Sequence, residues 1–491
     1  MPASHVHARS RVPGNDSPSS AGGEHPVLQR RVVTSSNQGP GPGYGLSRKP
    51  RPAPPRWPRT TRWRRTCLLL LSALMLLPAG YPRAAESATR PQRNDTVTTR
   101  AHPDLDPLGI RARGFTLYPK LGYQLAVNDN IFAVDKNRNT DLISVVSPGL
   151  SLVSNGRRNV FELSAGANLG RYADFTSEDY DDWHVSAAYR SEPTHQSRIR
   201  LGLRHINGHE ARQSPDNAGG LHPGIFTRSE ASLDLSYQPG LLGIEPIASY
   251  RRLNFRNIDS LLSGVPIVIE QDDRNRTEYE FGMRGLYDVA PHRNAYLQVR
   301  GFVTDYDKLQ DITGFERSST GYEISVGADL DFGGISRVKL LLGYRRQAYA
   351  DPLPDTAAPV FDLAYYWKPS ELTSLVLDVK REFGETTLHA YSGFVETESS
   401  IHMDHELLRN LIVTVHLSMV LDDFSGIGSA EREDRLFTSR VGFKWRPRRN
   451  LVLSLQHEYT GRETSDNTIA AGFPDGDFHR HIGWLMVEFQ Y

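Results

Sequence analysis

The chain has a single cysteine, Cys67, among its 491 residues. We expect Cys67 to lie in a segment that is removed on export, which leaves a mature chain without a thiol. Disulfide bonds, zinc sites with thiolate ligands and a cysteine nucleophile are thereby excluded. Net charge is also lacking, because 57 basic residues balance 57 acidic ones. This balance gives no general attraction to nucleic acid, which is not an expected partner.

Beyond the N-terminal region the chain also lacks long apolar runs, and its mean hydropathy is -0.47. A helical membrane protein is therefore excluded. A membrane β-barrel is not excluded, because its strands alternate lipid-facing apolar residues with polar residues that face the lumen. Composition is thus neutral toward a barrel.

An export signal precedes the main body of the chain. Four arginines between 59 and 65 come before an apolar stretch at 67–77, and small residues follow it. This layout predicts a signal peptide at 59–85. Residues 1–58 are rich in Pro, Gly, Ser and Arg, which predicts either a disordered leader or a start codon placed too early. Residues 86–114 are predicted to form a polar periplasmic linker.

From residue 115 to the end, apolar and polar residues alternate repeatedly, as in the stretch FELSAGANLG at 161–170. A period of two indicates strands with one apolar and one polar face. The pattern predicts an all-β fold, a transmembrane antiparallel up-and-down β-barrel at 115–491 with about 18 strands. Predicted strands include 115–128 and 336–349. Two others, 141–153 and 393–405, alternate poorly, which leaves 16 strands as the alternative.

The predicted connections alternate between short turns and longer polar loops, as in barrels with periplasmic turns and extracellular loops. Large aromatic residues end the strands that lead into short turns. This spacing predicts a girdle at the inner lipid–water interface. The last strand, GWLMVEFQY, ends on an aromatic residue and resembles the C-terminal signal that the barrel-assembly machinery recognises. The predicted girdle and assembly signal comprise Tyr189, Tyr237, Tyr287, Phe332, Trp367, Trp445, Phe489 and Tyr491.

If the apolar faces point to lipid, the opposite faces carry many charged residues into the lumen. One interpretation is a charged pore that screens solutes, and the other is cross-strand pairing that stabilises the wall. Both remain open for any single residue, and the cluster at 198–204 is the best candidate for an anion-favouring patch. The predicted lumen-facing residues are Arg198, Arg200, Arg204, Arg276, Glu278, Glu280, Arg284, Glu323, Asp329, Asp331, Lys339 and Arg345.

No catalytic motif nominates an active site, since the chain has no G-x-S-x-G, HExxH or P-loop sequence. His479 and His481 share a predicted face, but no third ligand follows at a fixed spacing. We therefore predict no enzyme, no cofactor, and no catalytic or metal-binding residue.

The start of the predicted barrel contains the motifs Leu-Tyr-Pro at 117–119, Asp-Asn-Ile-Phe at 129–132 and Ser-Pro-Gly-Leu at 147–150. As a set they resemble the putative β-barrel porin-2 family, whose members include outer-membrane proteins found with exopolysaccharide biosynthesis functions. The resemblance implies an exported barrel of porin type in the bacterial outer membrane, and it supplies no catalytic residues.

The leading hypothesis is a porin-like channel for export of exopolysaccharide or passage of polar solutes. Barrels of 16 to 18 strands enclose an aqueous channel unless a loop plugs them. The alternative is a non-conducting structural or adhesive barrel whose extracellular loops, such as 207–227 and 461–477, bind partners. A surface hydrolase is a third possibility. Expected partners are outer-membrane lipid and lipopolysaccharide, the barrel-assembly machinery and polysaccharide export components.

Overall fold

The computed structural model describes residues 95–217, 219–262, 264–388, 391–428, 431–465 and 476–491. The predicted leader at 1–58 and signal peptide at 59–85 lie outside these residues. Regular structure in the described part is almost entirely β, with two short 3-10 helices at Thr176–Glu178 and Asp272–Arg274. None of the helices in this part is long and apolar enough to cross a membrane.

Eighteen strands, joined in the order of the chain, form the wall of a barrel. They are β2 (Phe115–Asn128), β3 (Asp141–Ser154), β4 (Asn159–Tyr172), β5 (Tyr180–Thr194), β6 (Ser197–His209), β7 (Ile225–Tyr237), β8 (Leu242–Phe255), β11 (Arg276–Ala290), β12 (Arg293–Tyr306), β13 (Ser319–Phe332), β14 (Ser336–Tyr349), β15 (Thr356–Ser370), β16 (Thr373–Glu385), β17 (Tyr391–Leu408), β18 (Leu411–Gly426), β19 (Glu431–Arg448), β20 (Leu451–Thr464) and β21 (Phe478–Gln490). Three shorter strands lie outside the wall: β1 (Ile110–Ala112) pairs with the start of β2, and β9 (Ile258–Leu262) pairs with β10 (Val265–Ile269).

The wall closes on itself because β2 pairs with its neighbour in sequence, β3, and also with the last strand, β21. Leu125 lies opposite Ser144 on one side and Leu485 on the other. All of these pairings are antiparallel, so the predicted all-β fold class and the number of 18 strands are confirmed. The alternative of 16 strands is wrong.

The weak alternation of β3 has a physical cause in the structure. Its inward residues Ile143 and Val145 are buried in a small apolar cluster with Ala126, and Tyr172 and Trp484 pack against that cluster. Both faces of β3 are therefore apolar near this end, which hides the period of two. A sequence pattern that assumes a wholly polar lumen underrates such a strand.

The two faces of the wall have opposite chemistry. Outward residues such as Leu455 and Leu485 are 56% and 52% exposed. The largest fully buried side chains among the described residues are polar, and two of them, Gln347 on β14 and Glu323 on β13, lie on the inner face of the wall. A wall with apolar residues outside and polar residues inside is suited to lipid outside and water within.

The connections differ at the two ends of the barrel. One end carries tight turns such as 195–196 and 371–372, and we call it the turn end. The other end, which we call the loop end, includes the long connections 129–140, 210–224 and 256–275. The hairpin of β9 and β10 lies within the last of these loops and was not predicted from the sequence.

The inward or outward placement of neighbouring wall residues predicts the effect of a charge on stability. Leu455→Arg puts a guanidinium on the lipid face, where we expect it to lower the free energy of unfolding by about 2–4 kcal/mol. Its neighbour Gln456 points into the lumen, so Gln456→Arg serves as the matched control and is expected to be nearly neutral. Unfolding by guanidinium chloride in lipid vesicles measures the free energy of unfolding of both variants. Equal destabilisation by the two variants would contradict the assignment of faces.

Candidate functional site

The inner face of β7, β8 and β11 carries charges that pair across neighbouring strands. Arg251 donates to Glu230 at 3.2 Å on one side and to Glu278 at 2.9 Å on the other. Glu278 also accepts from Arg276 at 2.8 Å. Side-chain pairs of this kind form because antiparallel registry puts the residues of one face directly beside each other.

A second chain of charges continues around the wall through Arg300 on β12. Its guanidinium donates to Glu280 at 3.0 Å and to both oxygens of Glu323, at 3.2 and 2.7 Å. Glu323 is only 1% exposed. A buried carboxylate requires such a partner, because leaving it unpaired would cost several kcal/mol.

All twelve charged residues predicted for the lumen lie on the face opposite the exposed apolar residues, as the strand register places them. Four of them, Arg276, Glu278, Glu280 and Glu323, belong to the two chains just described. Arg284 pairs with Glu245 at 3.3 Å, Asp329 bonds Arg337 at 2.6 Å, and Lys339 lies 5.8 Å from the Tyr366 ring centroid. Asp331 accepts from the Gly334 amide at 2.9 Å beside a tight turn. The structure therefore uses many of these charges for pairing within the wall.

The predicted anion-favouring patch of Arg198, Arg200 and Arg204 lies along β6. Arg200 faces Asp234 and Arg204 faces Glu230 in the register with β7, and Arg198 is 3.9 Å from Glu192. Carboxylates thus accompany each of the three arginines. The patch is less positive than the sequence alone indicates.

Loops at the loop end extend over the opening of the barrel. The connection between β6 and β7 reaches Thr386, whose hydroxyl donates to Asp216 at 2.8 Å. In a ring of 18 strands, β6 and β16 are eight positions apart, which is almost opposite. The loop therefore crosses the opening rather than standing beside it.

Further ion pairs attach the same loop along its path. Arg212 pairs with Glu178 at 2.6 Å, and Glu210 pairs with Arg274 at 2.6 Å. The carbonyl of Gln213 accepts from Arg462 of β20 at 2.9 Å. Contacts with three other connections or strands hold this loop over the lumen.

The connection between β12 and β13 also takes part in covering the opening. Arg317 is 2% exposed and donates to the carbonyls of Thr386, Leu388 and Tyr391 at 2.9, 3.1 and 2.8 Å. Asp311 accepts from Arg317 Nε at 2.6 Å and thereby orients the guanidinium. We call residues 210–217, 311–317 and 386–388 the loop layer.

A segment before the first wall strand covers part of the turn end. Val97 is 3% exposed, and its amide donates to Ser374 Oγ at 2.9 Å. Thr98 donates to Asp404 at 2.6 Å. Ser374 and Asp404 face each other across β16 and β17 and point inward. Residues 95–106, which we call the N-terminal segment, therefore enter the lumen.

Ion pairs connect the rest of the N-terminal segment to the same rim. Arg100 pairs with Glu406 and donates to the carbonyl of Glu371. Asp106 lies 3.3 Å from Arg446, and Arg449 donates to the Pro103 carbonyl at 3.0 Å. The described part of the predicted linker, residues 95–114, is thus attached to the barrel over much of its length.

Between the two coverings the lumen contains a cavity of about 430 Å³. Charged residues from β8, β11, β12, β14 and β16 line it, together with the ring of Phe302. Pockets of this size accept small polar molecules. No group of three or more His, Cys, Asp or Glu side chains arranged to hold a metal ion is found in the described part of the chain.

The aromatic residues predicted as a girdle all lie at the turn end on the outer face. Seven of the eight have more than 40% of their surface exposed, from Trp367 at 41% to Tyr491 at 60%, and Tyr189 is half-buried. The backbone amide of Tyr491 donates to the Pro119 carbonyl at 3.1 Å. The C-terminal residue is therefore anchored beside the first wall strand.

Several residues of this site were not predicted from the sequence. Arg251 is followed by Arg252. Because both residues are arginines, the alternation of apolar and polar residues does not indicate which of the two faces inward. Arg317 and Glu210 lie in loops, where no periodicity exists. The N-terminal segment has few apolar residues and was predicted only as a linker, although its three charged residues between 100 and 106 were a usable signal.

The family model described as "Putative beta-barrel porin 2" matches residues 102–491. Among solved structures, OpdO of Pseudomonas aeruginosa is 14% identical with a TM-score of 0.40, covering 77% of this chain and 97% of its own. OccAB2 of Acinetobacter baumannii is 13% identical with a TM-score of 0.40, covering 77% and 98%. The ferric citrate transporter FecA, unliganded, is 9% identical with a TM-score of 0.41, covering 80% of each chain. No curated protein gives a significant match.

Removing the Arg100 side chain tests the attachment of the N-terminal segment. We expect Arg100→Ala to weaken this attachment by about 1.5–3 kcal/mol, because a charge-assisted hydrogen bond is lost. Faster proteolysis near residues 95–106 and a higher conductance in planar bilayers are the expected results. Arg111→Ala, at an exposed position of β1, is the control and leaves both unchanged. Identical behaviour of the two variants would show that Arg100 does not hold the segment.

Acid is expected to loosen the loop layer. Burial alone would raise the pKa of Asp311, but hydrogen bonds from Thr313, the Phe315 amide and Arg317 lower it below the ordinary value. The ionised contact therefore contributes stability above the ordinary aspartate pKa of about 3.9, and this stability is lost as the pH falls through the lowered pKa. We expect bilayer conductance to rise in that acidic range.

Two variants check this pH dependence. Asp311→Asn removes the carboxylate and is expected to raise conductance already at neutral pH. Asp355→Asn is the control, because hydrogen bonds from Arg346 and the Tyr349 amide likewise lower the pKa of Asp355, but outside the loop layer. An unchanged neutral-pH conductance in Asp311→Asn would contradict the role of this contact.

Proposed function

The chain belongs to the putative beta-barrel porin 2 family, and from this premise we propose that it is a gated outer-membrane channel for small polar solutes. It is a porin-like barrel of the bacterial outer membrane. With turns in the periplasm, as is usual for such barrels, the turn end is periplasmic and the loop layer is extracellular.

The observation that carries the proposal is the charged lumen between two coverings. The inner face presents acidic and basic groups in turn, which suits water and hydrated solutes of either charge. Largely buried ion pairs of this kind are a weak source of net stability, because the cost of taking two charges out of water largely offsets their attraction. The stability of the wall therefore does little to explain why the inner face carries so many charges. A water-filled passage explains them better.

Export of exopolysaccharide is the finer form of this proposal, and it rests on the family resemblance. A polymer requires a continuous passage, so both the loop layer and the N-terminal segment have to move during export. The contacts that hold them are mostly hydrogen bonds and ion pairs, which water can replace at modest cost. Passage of small solutes requires a smaller displacement of the loop layer and the N-terminal segment.

A second candidate is a structural or adhesive barrel that does not conduct. The observation in its favour is the loop layer itself, whose Arg317 is buried and bonded to three carbonyls at most 3.1 Å away. In this case the loops would present a binding surface to the outside.

Planar-bilayer recording of the refolded protein separates the two candidates. The channel proposal expects salt conductance that increases when loop residues 210–217 are shortened to a Gly-Ser link. A barrel that stays silent after both this change and removal of residues 95–106 would contradict it. For the finer form, deletion of the gene is expected to lower the exported polysaccharide, and unchanged export would exclude that cargo.

A further inference from the structure

The cavity in the lumen has one basic residue that differs from all the others around it. Arg251, Arg284, Arg300, Lys380 and Arg381 each have a carboxylate within ion-pair distance. Arg345 also lines the cavity, yet no carboxylate oxygen of the described residues lies within 4.0 Å of its guanidinium. It is a cation inside the lumen without a direct ion-pair partner among the described residues.

The registry explains why Arg345 has no ion-pair partner. Glu323 lies directly opposite it on β13 and would be the natural cross-strand partner. Arg300, however, occupies both oxygens of Glu323 from the other side. Arg345 is left with a single hydrogen bond, from Nη2 to Gln347 at 3.2 Å, and its Nε has no partner in the described residues.

Aromatic rings hold the guanidinium in place. Its central carbon lies 3.7 Å from the ring centroid of Phe302 and 5.0 Å from that of Phe383. Stacking on a ring fixes the plane of the guanidinium. Nε is buried, whereas the terminal edge, with Nη1 unbonded in the described residues and Nη2 on Gln347, remains for a planar anion. That edge is the part of arginine that binds a carboxylate through two parallel hydrogen bonds.

A second group of the same cavity is also incompletely bonded. Glu385 lines it and accepts only a long bond, 3.5 Å, from Thr304 through Oε1. Its Oε2 is buried without a partner in the described part of the chain. Buried polar atoms are nearly always bonded to protein or to water, so this carboxylate is incompletely satisfied, and Oε1, with its single long bond, is the oxygen that can accept a hydroxyl group.

We propose that Arg345 and Glu385 form a binding subsite for a sugar acid, with Arg345 holding the carboxylate and Glu385 accepting a hydroxyl group. A volume of about 430 Å³ suits one such unit with its water. The inference rests on the proposed channel function, since it places a solute site within the passage. A neutral sugar lacks the group that Arg345 binds and therefore binds more weakly.

Calorimetric titration of the folded, detergent-solubilised barrel with glucuronate, and with glucose for comparison, tests the subsite. Arg345→Gln is expected to weaken glucuronate binding about tenfold, as the loss of a charge-assisted pair implies, and to leave glucose unchanged. Arg345→Lys retains the positive charge but not the planar guanidinium with its paired N–H donors, so its affinity for glucuronate is expected to be intermediate. Glu385→Gln should weaken both ligands.

Arg346→Gln is the matched control, because Arg346 is the next residue, points outward and pairs with Asp355. It should bind glucuronate like the parent. The gel mobility of unheated protein verifies that every variant is folded. Equal binding of glucuronate and glucose to the parent, or equal glucuronate binding to the parent and Arg345→Gln, would overturn the subsite.

Salt conductance, measured in parallel, keeps the two proposals apart. If the protein conducts salt but binds glucuronate no better than glucose, the subsite is overturned and the channel proposal stands. Selective glucuronate binding without any conductance supports the subsite and contradicts the channel.

Discussion

Pairing of backbone hydrogen bonds is the constraint on which the rest of this structure depends. In the hydrocarbon of a membrane, each unpaired N–H or C=O group costs several kcal/mol. The pairing of β2 with β21 removes both edges of the sheet. Once the ring is closed, alternate side chains point to lipid and to the lumen, and apolar and polar residues follow that division.

Closure also concentrates charge in a confined space. Glutamates and arginines on neighbouring strands meet at fixed distances, and most of those around the cavity find a partner. Competition then matters: because Arg300 binds both oxygens of Glu323, Arg345 is left without a direct ion pair in the described part of the chain. The capacity of the lumen to bind a solute therefore depends on such incompletely paired groups more than on the total number of charges.

Much of the wall could be predicted from the sequence. The strands expected at 115–128 and 336–349 end at the same residues in the structure. One of the two segments that alternate poorly, β3, was still placed correctly, although its inward apolar cluster obscured the alternation. The predictions were less complete for the connections, since neither the hairpin of β9 and β10 nor the loop layer has a periodic pattern.

The sequence by itself determined the all-β fold class, the face to which most wall side chains point and the end at which aromatics gather, and it left 18 or 16 as the number of strands. Period-two alternation is a local property, so a single stretch of chain is enough to read it. Only the tertiary structure decided which charges pair, which loops cross the opening and where the N-terminal segment lies. Those contacts join residues far apart in the chain, such as Val97 and Ser374, 277 residues away, and they exist only because ring closure brings them together.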